Sequence, residues 1–158
     1  MAKYDFDLFV IGGGSGGVRA ARMAAQRGAR VVLAESGALG GTCVNVGCIP
    51  KKLYSIAAHF HQDFADAKGF GWDVAGATLD WARLKHNRAH EIRRLNGVYE
   101  HLLRTAGVEL LHGRARVAGP NAITVEMAGG ARSVTARHIL VATGGRPALP
   151  EIPGREHV

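Results

Sequence analysis

The chain has 158 residues, a length that fits one domain better than two. Its residues are 47% hydrophobic and 21% charged and include 22 glycines, which excludes a disordered chain and predicts a globular domain with many tight turns. The net charge of +7 would suit a polyanion, but no zinc finger, basic zipper or aromatic RNA-binding motif accompanies it, so we predict no nucleic-acid partner. The N-terminus lacks the basic start of a signal peptide and no stretch approaches the roughly 20 apolar residues of a membrane span, which predicts a cytoplasmic location and no membrane contact.

The first 35 residues predict a strand, a glycine turn, a helix and a second strand. An apolar run at 5–11 is followed at once by GGGSGG, by an Ala- and Arg-rich helix at about 15–27 and by a short apolar strand at 30–34. This order is typical of a βαβ unit, in which the two strands are parallel neighbours.

The rest of the chain predicts two helices and then several strands. A helix follows the cysteines as far as about residue 66, and a second, basic and amphipathic helix covers 81–104. From residue 108, four strand patterns are separated by the turn signals GPN and GG, and the last is placed at 137–143. We therefore predict an α/β fold with a parallel sheet, a small antiparallel β-meander and two long helices after the cysteines.

The glycine turn fits the pattern G-x-G-x-x-G, with Gly12, Gly14 and Gly17 at the fixed positions. Such glycines allow a tight turn, let the backbone approach a pyrophosphate and let the helix pack closely on the strand. Glu35 lies 18 residues beyond Gly17, at the end of the second strand, where a carboxylate accepts hydrogen bonds from an adenosine ribose. Because it would repel a 2′-phosphate, the site suits FAD or NAD better than NADP.

Both cysteines of the chain, Cys43 and Cys48, lie in the segment GGTCVNVGCIPKK. A structural disulfide is disfavoured in a cytoplasmic chain. A zinc site that adds His59 and His61 is disfavoured because the cysteine spacing is too long and a helix would place the histidines on different faces. Buried inert thiols are a third explanation. A redox pair is favoured, because a helix start and the two following lysines promote the thiolate that disulfide exchange requires at Cys48.

The same segment resembles the redox-active motif of the FAD-dependent pyridine nucleotide–disulphide oxidoreductases. The strand-linked GGGSGG, Glu35 and the ATGGRP box at 142–147 resemble features of that family and occur in the same order. The resemblance extends over essentially the whole chain. It implies a Rossmann-like FAD-binding fold, FAD as the cofactor, NADPH as the co-substrate and a homodimer.

The resemblance also implies roles for single residues. Cys48 would pack on the flavin as the charge-transfer thiol, Cys43 would be the interchange thiol that meets the substrate, and Lys51 would lie beside the flavin N5. No metal ligand is expected. The other implied cofactor residues hold the pyrophosphate, the ribose and the adenine or close over the cofactor at a strand end: Gly12, Gly14, Ser15, Gly16, Gly17, Glu35, Gly41, Thr42, Ala115, Thr143 and Gly144.

In small details of its sequence, the chain resembles one branch of the family, the branch that reduces glutathione disulfide. The chain has Pro-Lys-Lys after the second cysteine, where members acting on dihydrolipoamide or mercuric ion usually have Pro-Ser-Lys. Arg22 matches an arginine that meets a glycine carboxylate of the substrate in that branch, and RLNGVY at 94–99 resembles its disulfide-site helix. The alternatives are another member of the family, of the thioredoxin, trypanothione, dihydrolipoamide or mercuric reductase type, and a non-catalytic nucleotide-binding module with a redox-sensing disulfide. The implied substrate residues are Ser15, Arg22, Val98 and Tyr99.

Two segments are predicted along the chain. Residues 1–145 would form an incomplete FAD-binding domain, and residues 146–158 a linker towards an NADPH-binding domain that the sequence lacks. A second glycine fingerprint, a later Gly-Asp and an interface domain with a catalytic His–Glu pair are implied by the family and do not occur here. We therefore expect the segment to be inactive by itself.

Overall fold

The structure is a computed structural model that describes residues 3–157. Short 3₁₀ turns lie at Lys68–Phe70 and Arg155–His157. The helices and strands within these residues are, in chain order, β1 (Phe6–Ile11), α1 (Ser15–Ala25), β2 (Val31–Glu35), α2 (Gly41–Asn45), α3 (Cys48–Ala67), α4 (Trp81–Thr105), β3 (Glu109–His112), β4 (Arg114–Gly119), β5 (Ala122–Met127) and β6 (Gly130–Val141).

The six strands form one sheet in the order β3-β2-β1-β6-β5-β4. The pairings from β3 to β6 are parallel, and those from β6 to β4 are antiparallel. Strand β6 belongs to both parts, because residues 130–135 pair with β5 and residues 136–141 pair with β1. The predicted α/β fold, with its parallel sheet, antiparallel meander and two long helices, is confirmed.

Two details differ from the expectations. The last strand starts at Gly130 rather than near residue 137, since the final hairpin of the meander continues without a break into the parallel strand. The cysteine loop also contains the short helix α2, which periodicity did not predict. The remaining predicted elements agree with the structure to within two residues at their ends.

Apolar side chains cover both faces of the parallel strands, as expected where a sheet is buried on both sides. On one face Val10 and Leu33 pack with α1 and with Leu103 of α4. On the other, Phe9 and Val32 pack with residues of β5 and β6. Fully buried Leu103 thus fixes the C-terminal end of α4 to the core. None of the helices within residues 3–157 combines the length and apolar character needed to cross a bilayer.

The start of α4 follows from its capping residue. The Asp80 carboxylate accepts a hydrogen bond of 2.9 Å from the Arg83 backbone N–H, which satisfies a donor that the first turn leaves free. Helix α1 differs, because its N-cap is Gly14 and no side chain caps it. Its first-turn N–H groups are therefore free to bind a ligand.

Candidate functional site

The carboxyl ends of β1, β2 and β6 meet at one edge of the sheet, where ligands of such folds usually bind. The glycine turn follows β1 there and leads into α1. A Cβ at Gly17 would lie 1.8 Å from the Gly12 carbonyl oxygen, so only glycine lets α1 pack this closely on the turn. The turn is consequently a bare backbone surface in front of an uncapped helix start, the arrangement that binds phosphate groups.

A cleft of about 860 Å³ opens beside this turn, which is the size of a site for a large cofactor. Its walls come from the glycine turn, the cysteine segment and the end of β6. Glycines and other small residues dominate these walls, so the backbone is open to a ligand. The lining residues are Gly12, Gly14, Ser15, Gly16, Glu35, Ala38, Gly41, Thr42, Cys43, Asn45, Val46, Gly47, Cys48, Ala142, Thr143, Gly144 and Gly145.

Glu35 stands where this cleft meets a smaller one of about 380 Å³. Its carboxylate accepts hydrogen bonds of 2.7 Å from the backbone N–H groups of Gly13 and Gly37. A carboxylate has about four acceptor positions, so hydroxyl groups of a ribose could still be bound. Ala115 lines the smaller cleft together with Glu35 and Thr143. The two clefts therefore form one path from the cysteines past Glu35 to Ala115.

The cysteines lie on two successive helices. Cys43 is half-buried in the middle of α2, and Cys48 is exposed as the first residue of α3; both are free thiols. The segment is joined directly to the glycine turn, since the Gly40 N–H donates a 2.8 Å hydrogen bond to the Gly13 carbonyl. A Cβ at Gly41 would lie 2.8 Å from the Gly14 Cα. The cysteines are thus held against the same turn that offers its N–H groups to a ligand.

The two thiols influence each other. A hydrogen bond to the Cys48 sulfur, together with partial burial and the charge of a Cys48 thiolate, raises the pKa of the Cys43 thiol above its ordinary value. The Cys48 backbone N–H acts in the opposite direction with a smaller effect. Because the Cys43 thiol is the donor, removing its proton breaks the hydrogen bond. Cys43 therefore stays protonated to a higher pH than an isolated thiol, and it needs a base in order to act as a nucleophile near neutral pH.

This effect predicts how Cys43 reacts as the pH changes. In the reduced protein, the rate of alkylation of Cys43 by iodoacetamide should begin to rise only above the pH at which an ordinary thiol ionises. In Cys48→Ala the hydrogen bond and the like charge are gone, so the pKa of Cys43 falls and the curve moves to lower pH. Mass spectrometry of the Cys43 peptide measures both curves, and urea-unfolded protein supplies the reference for an unperturbed thiol. A curve that stays in place or moves to higher pH in Cys48→Ala would contradict the assigned cause.

Most of the predicted cofactor residues line one of the two clefts. Nine of them line the main cleft, as do both cysteines, and Ala115 lines the smaller one. Gly17 is buried beneath the turn and acts through packing, whereas Lys51 is exposed one turn into α3 and does not line either cleft. Asn45 and Val46 line the main cleft although they were not predicted. Their position between the cysteines was the only signal that could have found them.

The predicted substrate residues lie on α1 and α4. Ser15 lines the main cleft, and Arg22, seven residues later, lies on the same face of α1 two turns away. Val98 is 37% exposed on α4, and Tyr99 packs against the core cluster that α1 and α4 share. The buried Nε of Arg22 has no hydrogen-bond partner within residues 3–157. Buried donors are rarely left unpaired, but Arg22 lies outside the residues that line the two clefts.

The zinc alternative receives no geometric support. Within the described part of the chain, no three His, Cys, Asp or Glu side chains come together in a way that could hold a metal ion. His59 and His61 are exposed on α3.

Comparison with known proteins places these features in context. The chain is similar to glutathione reductases from Burkholderia cepacia, 54% identical over 154 residues, and Nostoc sp., 47% identical over 154 residues. It is also similar to the chloroplastic/mitochondrial glutathione reductase of Pisum sativum, 44% identical over 166 residues. Each match covers 98% of this chain, but the chain spans only 29–33% of the length of these relatives. Residues 6–158 match the family described as pyridine nucleotide-disulphide oxidoreductase. Because this family matches residues 6–158, and because the glycine turn and the cysteines line one cleft, we conclude that the chain belongs to the pyridine nucleotide-disulphide oxidoreductase family.

Proposed function

We propose that this chain is the FAD-binding and redox-active part of an enzyme that uses NADPH to reduce glutathione disulfide. The observation that carries the proposal is that Cys43 and Cys48 both line the cleft that the glycine turn forms. The names of the relatives support glutathione disulfide as the substrate. The activity would belong to the longer protein, because the chain spans about a third of the length of those relatives.

The residues of the cleft fit a dinucleotide cofactor such as FAD. The uncapped first turn of α1 would hold the pyrophosphate, Glu35 would accept hydrogen bonds from the ribose, and Ala115 would face the adenine. Thr42 and Thr143 both line the main cleft and would contact the middle of the cofactor. The chemistry that FAD supplies is the transfer of two electrons from NADPH to the cysteine pair.

The cysteines would carry out disulfide exchange in two steps. The Cys43 thiolate attacks one sulfur of glutathione disulfide, which forms a mixed disulfide and releases one glutathione thiolate. The Cys48 thiolate then attacks the Cys43 sulfur, which releases the second glutathione and leaves a Cys43–Cys48 disulfide. Two electrons pass from the cysteine pair to the two glutathione sulfurs, and each glutathione thiolate takes up a proton. Reduction of the new disulfide completes the cycle.

The raised pKa of Cys43 requires a base for the first step. None of the eight histidines lines the main cleft within the described residues. We therefore infer that the base is a group outside this chain. Lys51 lies one turn beyond Cys48 and is exposed, so we propose that it meets the bound flavin rather than the thiols.

Arg22 would bind a carboxylate of glutathione disulfide through its half-buried guanidinium. In the full-length protein, Arg22→Ala should raise the KM for glutathione disulfide about tenfold or more, the usual effect of losing a hydrogen bond to a charged group. Reduction of the enzyme by NADPH should keep its rate, because that step does not involve the substrate carboxylate. Steady-state and stopped-flow kinetics measure the two effects separately.

Arg27→Ala is the matched control for this prediction. Arg27 lies near the same end of α1 but is exposed, and within residues 3–157 its side chain donates only to the Met23 carbonyl at 3.2 Å. The Arg27→Ala substitution should leave the KM for glutathione disulfide within about twofold of the wild-type value, as expected for a surface substitution. Equal effects of the two substitutions, or no effect of Arg22→Ala, would argue against this binding site. A homodimer, a cytoplasmic location and the absence of nucleic-acid and membrane partners stay predictions.

A further inference from the structure

We propose that Asn96 is a positioning residue for the redox pair: it fixes the short helix that carries Cys43 to helix α4. The inference rests on the proposed function, since it concerns the same two thiols. It is independent of which disulfide the enzyme reduces.

The segment that carries Cys43 needs support from outside itself. Helix α2 has only five residues, its N-cap Gly40 provides no side-chain cap, and helices of this length are unstable alone. Asn45, the last residue of α2, donates hydrogen bonds to the carbonyl oxygens of Gly41 at 2.9 Å and Leu39 at 3.1 Å. These two hydrogen bonds close the segment on itself, so a connection from it to α4 has to come from another residue.

Asn96 provides that connection. Its Nδ2 donates to the Leu39 carbonyl at 2.7 Å and to the Asn45 Oδ1 at 3.0 Å, across 57 and 51 residues of chain. Asn96 is half-buried in the middle of α4, which is itself fixed to the core by Leu103. The two hydrogen bonds therefore join α2 and its preceding turn to a rigid element.

The position of these hydrogen bonds predicts which thiol they affect. Asn45 follows Cys43 by two residues on the same short helix, whereas Cys48 begins the 20-residue helix α3. Losing Asn96 should therefore displace Cys43 more than Cys48. Helix α4 also carries Tyr99, which is proposed to meet the substrate. One helix would thus place both the nucleophile and the substrate, and displacements of about 1 Å can cost 10²-fold in rate.

The test uses the full-length protein with its cofactor and compares Asn96→Leu with wild type in glutathione redox buffers. At equilibrium, the Cys43 and Cys48 thiols lose two electrons and two protons to glutathione disulfide, which becomes two glutathione molecules. Acid quenching, alkylation and mass spectrometry give the fraction of disulfide. We expect the equilibrium constant for forming the disulfide to fall about tenfold in Asn96→Leu, equivalent to a reduction potential about 30 mV higher. The kcat for glutathione disulfide should fall by a similar factor, while the KM changes less than about twofold.

Two further variants make the result decisive. Asn87→Leu changes the same residue type on the same helix, at an exposed position facing the groove between α3 and α4, and it should leave the equilibrium unchanged. Asn96→Asp keeps the size of the side chain but removes the donor to the Leu39 carbonyl, so it should act like Asn96→Leu even if the apolar variant folds poorly. A wild-type equilibrium in both Asn96 variants, or an equal shift in Asn87→Leu, would overturn the inference. Failure of wild-type protein to form the Cys43–Cys48 disulfide at all would instead overturn the proposed function.

Discussion

Replacing Cys43 by serine in the full-length protein is expected to lower the turnover of glutathione disulfide by about 10³-fold or more. Serine keeps the shape of the side chain, but its hydroxyl group neither attacks a disulfide at neutral pH nor forms one with Cys48. The cofactor cleft and the Cys48 thiol remain, so NADPH should still reduce the bound flavin. Coupled assays of NADPH oxidation and glutathione formation measure the loss.

Cys48→Ser is the matched variant that separates the two roles. It should also stop turnover, but Cys43 can still attack glutathione disulfide, and the mixed disulfide then has no second thiol to resolve it. One glutathione should accordingly remain bound to Cys43 and be visible in the intact mass. The long-wavelength absorbance of a thiolate against the flavin should persist in reduced Cys43→Ser and be absent from Cys48→Ser. Turnover above about a hundredth of the wild-type rate in Cys43→Ser would contradict the assigned nucleophile.

Gly17→Ala is expected to lower the free energy of unfolding by about 3 kcal/mol or more, a large part of the 5–15 kcal/mol typical of a domain. The added Cβ would lie 1.8 Å from the Gly12 carbonyl oxygen, which is a backbone atom and cannot rotate away. Helix α1 would have to move off the glycine turn, and the N–H groups of its first turn would leave the cleft. Urea unfolding and the flavin content of purified protein measure both consequences.

Gly97→Ala is the control for this prediction. Gly97 lies inside α4 and is exposed, and a Cβ there would meet no atom of the described residues within 4 Å. Because alanine is the better helix former, the free energy of unfolding should rise by about 0.5–1 kcal/mol, with the flavin content unchanged. Equal stability of Gly17→Ala and wild-type protein would show that the close packing of α1 on the turn is not required.

Much of the fold and site was predictable because the relevant signals are local. The run from β1 through the glycine turn to β2 combines apolar strands, glycines and an acidic residue at fixed spacing, so both the βαβ unit and the place of Glu35 followed from the sequence. The two cysteines flank a short stretch that the resemblance identified. The structure adds that this stretch lies against the glycine turn through the hydrogen bond from Gly40 to Gly13.

Other features depend on contacts that no local pattern encodes. Helix α2 begins at the second of two adjacent glycines, which predict a turn, and part of its support comes from Asn96 on a helix more than 50 residues away. Leu103 on α4 is fully buried, whereas Val98 on the same helix is partly exposed. Periodicity shows that a helix has an apolar face, but the crossing of α4 over the sheet decides which residue on that face reaches the core.

In the proposed function, Cys43 and Cys48 exchange electrons with a cofactor in the glycine-lined cleft. The most direct test adds one equivalent of NADPH to oxidised full-length protein, alkylates the new thiols and locates them by mass spectrometry. We expect Cys43 and Cys48 to become labelled together, and we expect glutathione disulfide to prevent the labelling of both when it is added before the alkylating agent. Failure of NADPH to expose either thiol, in protein that retains its flavin, would contradict the proposed function.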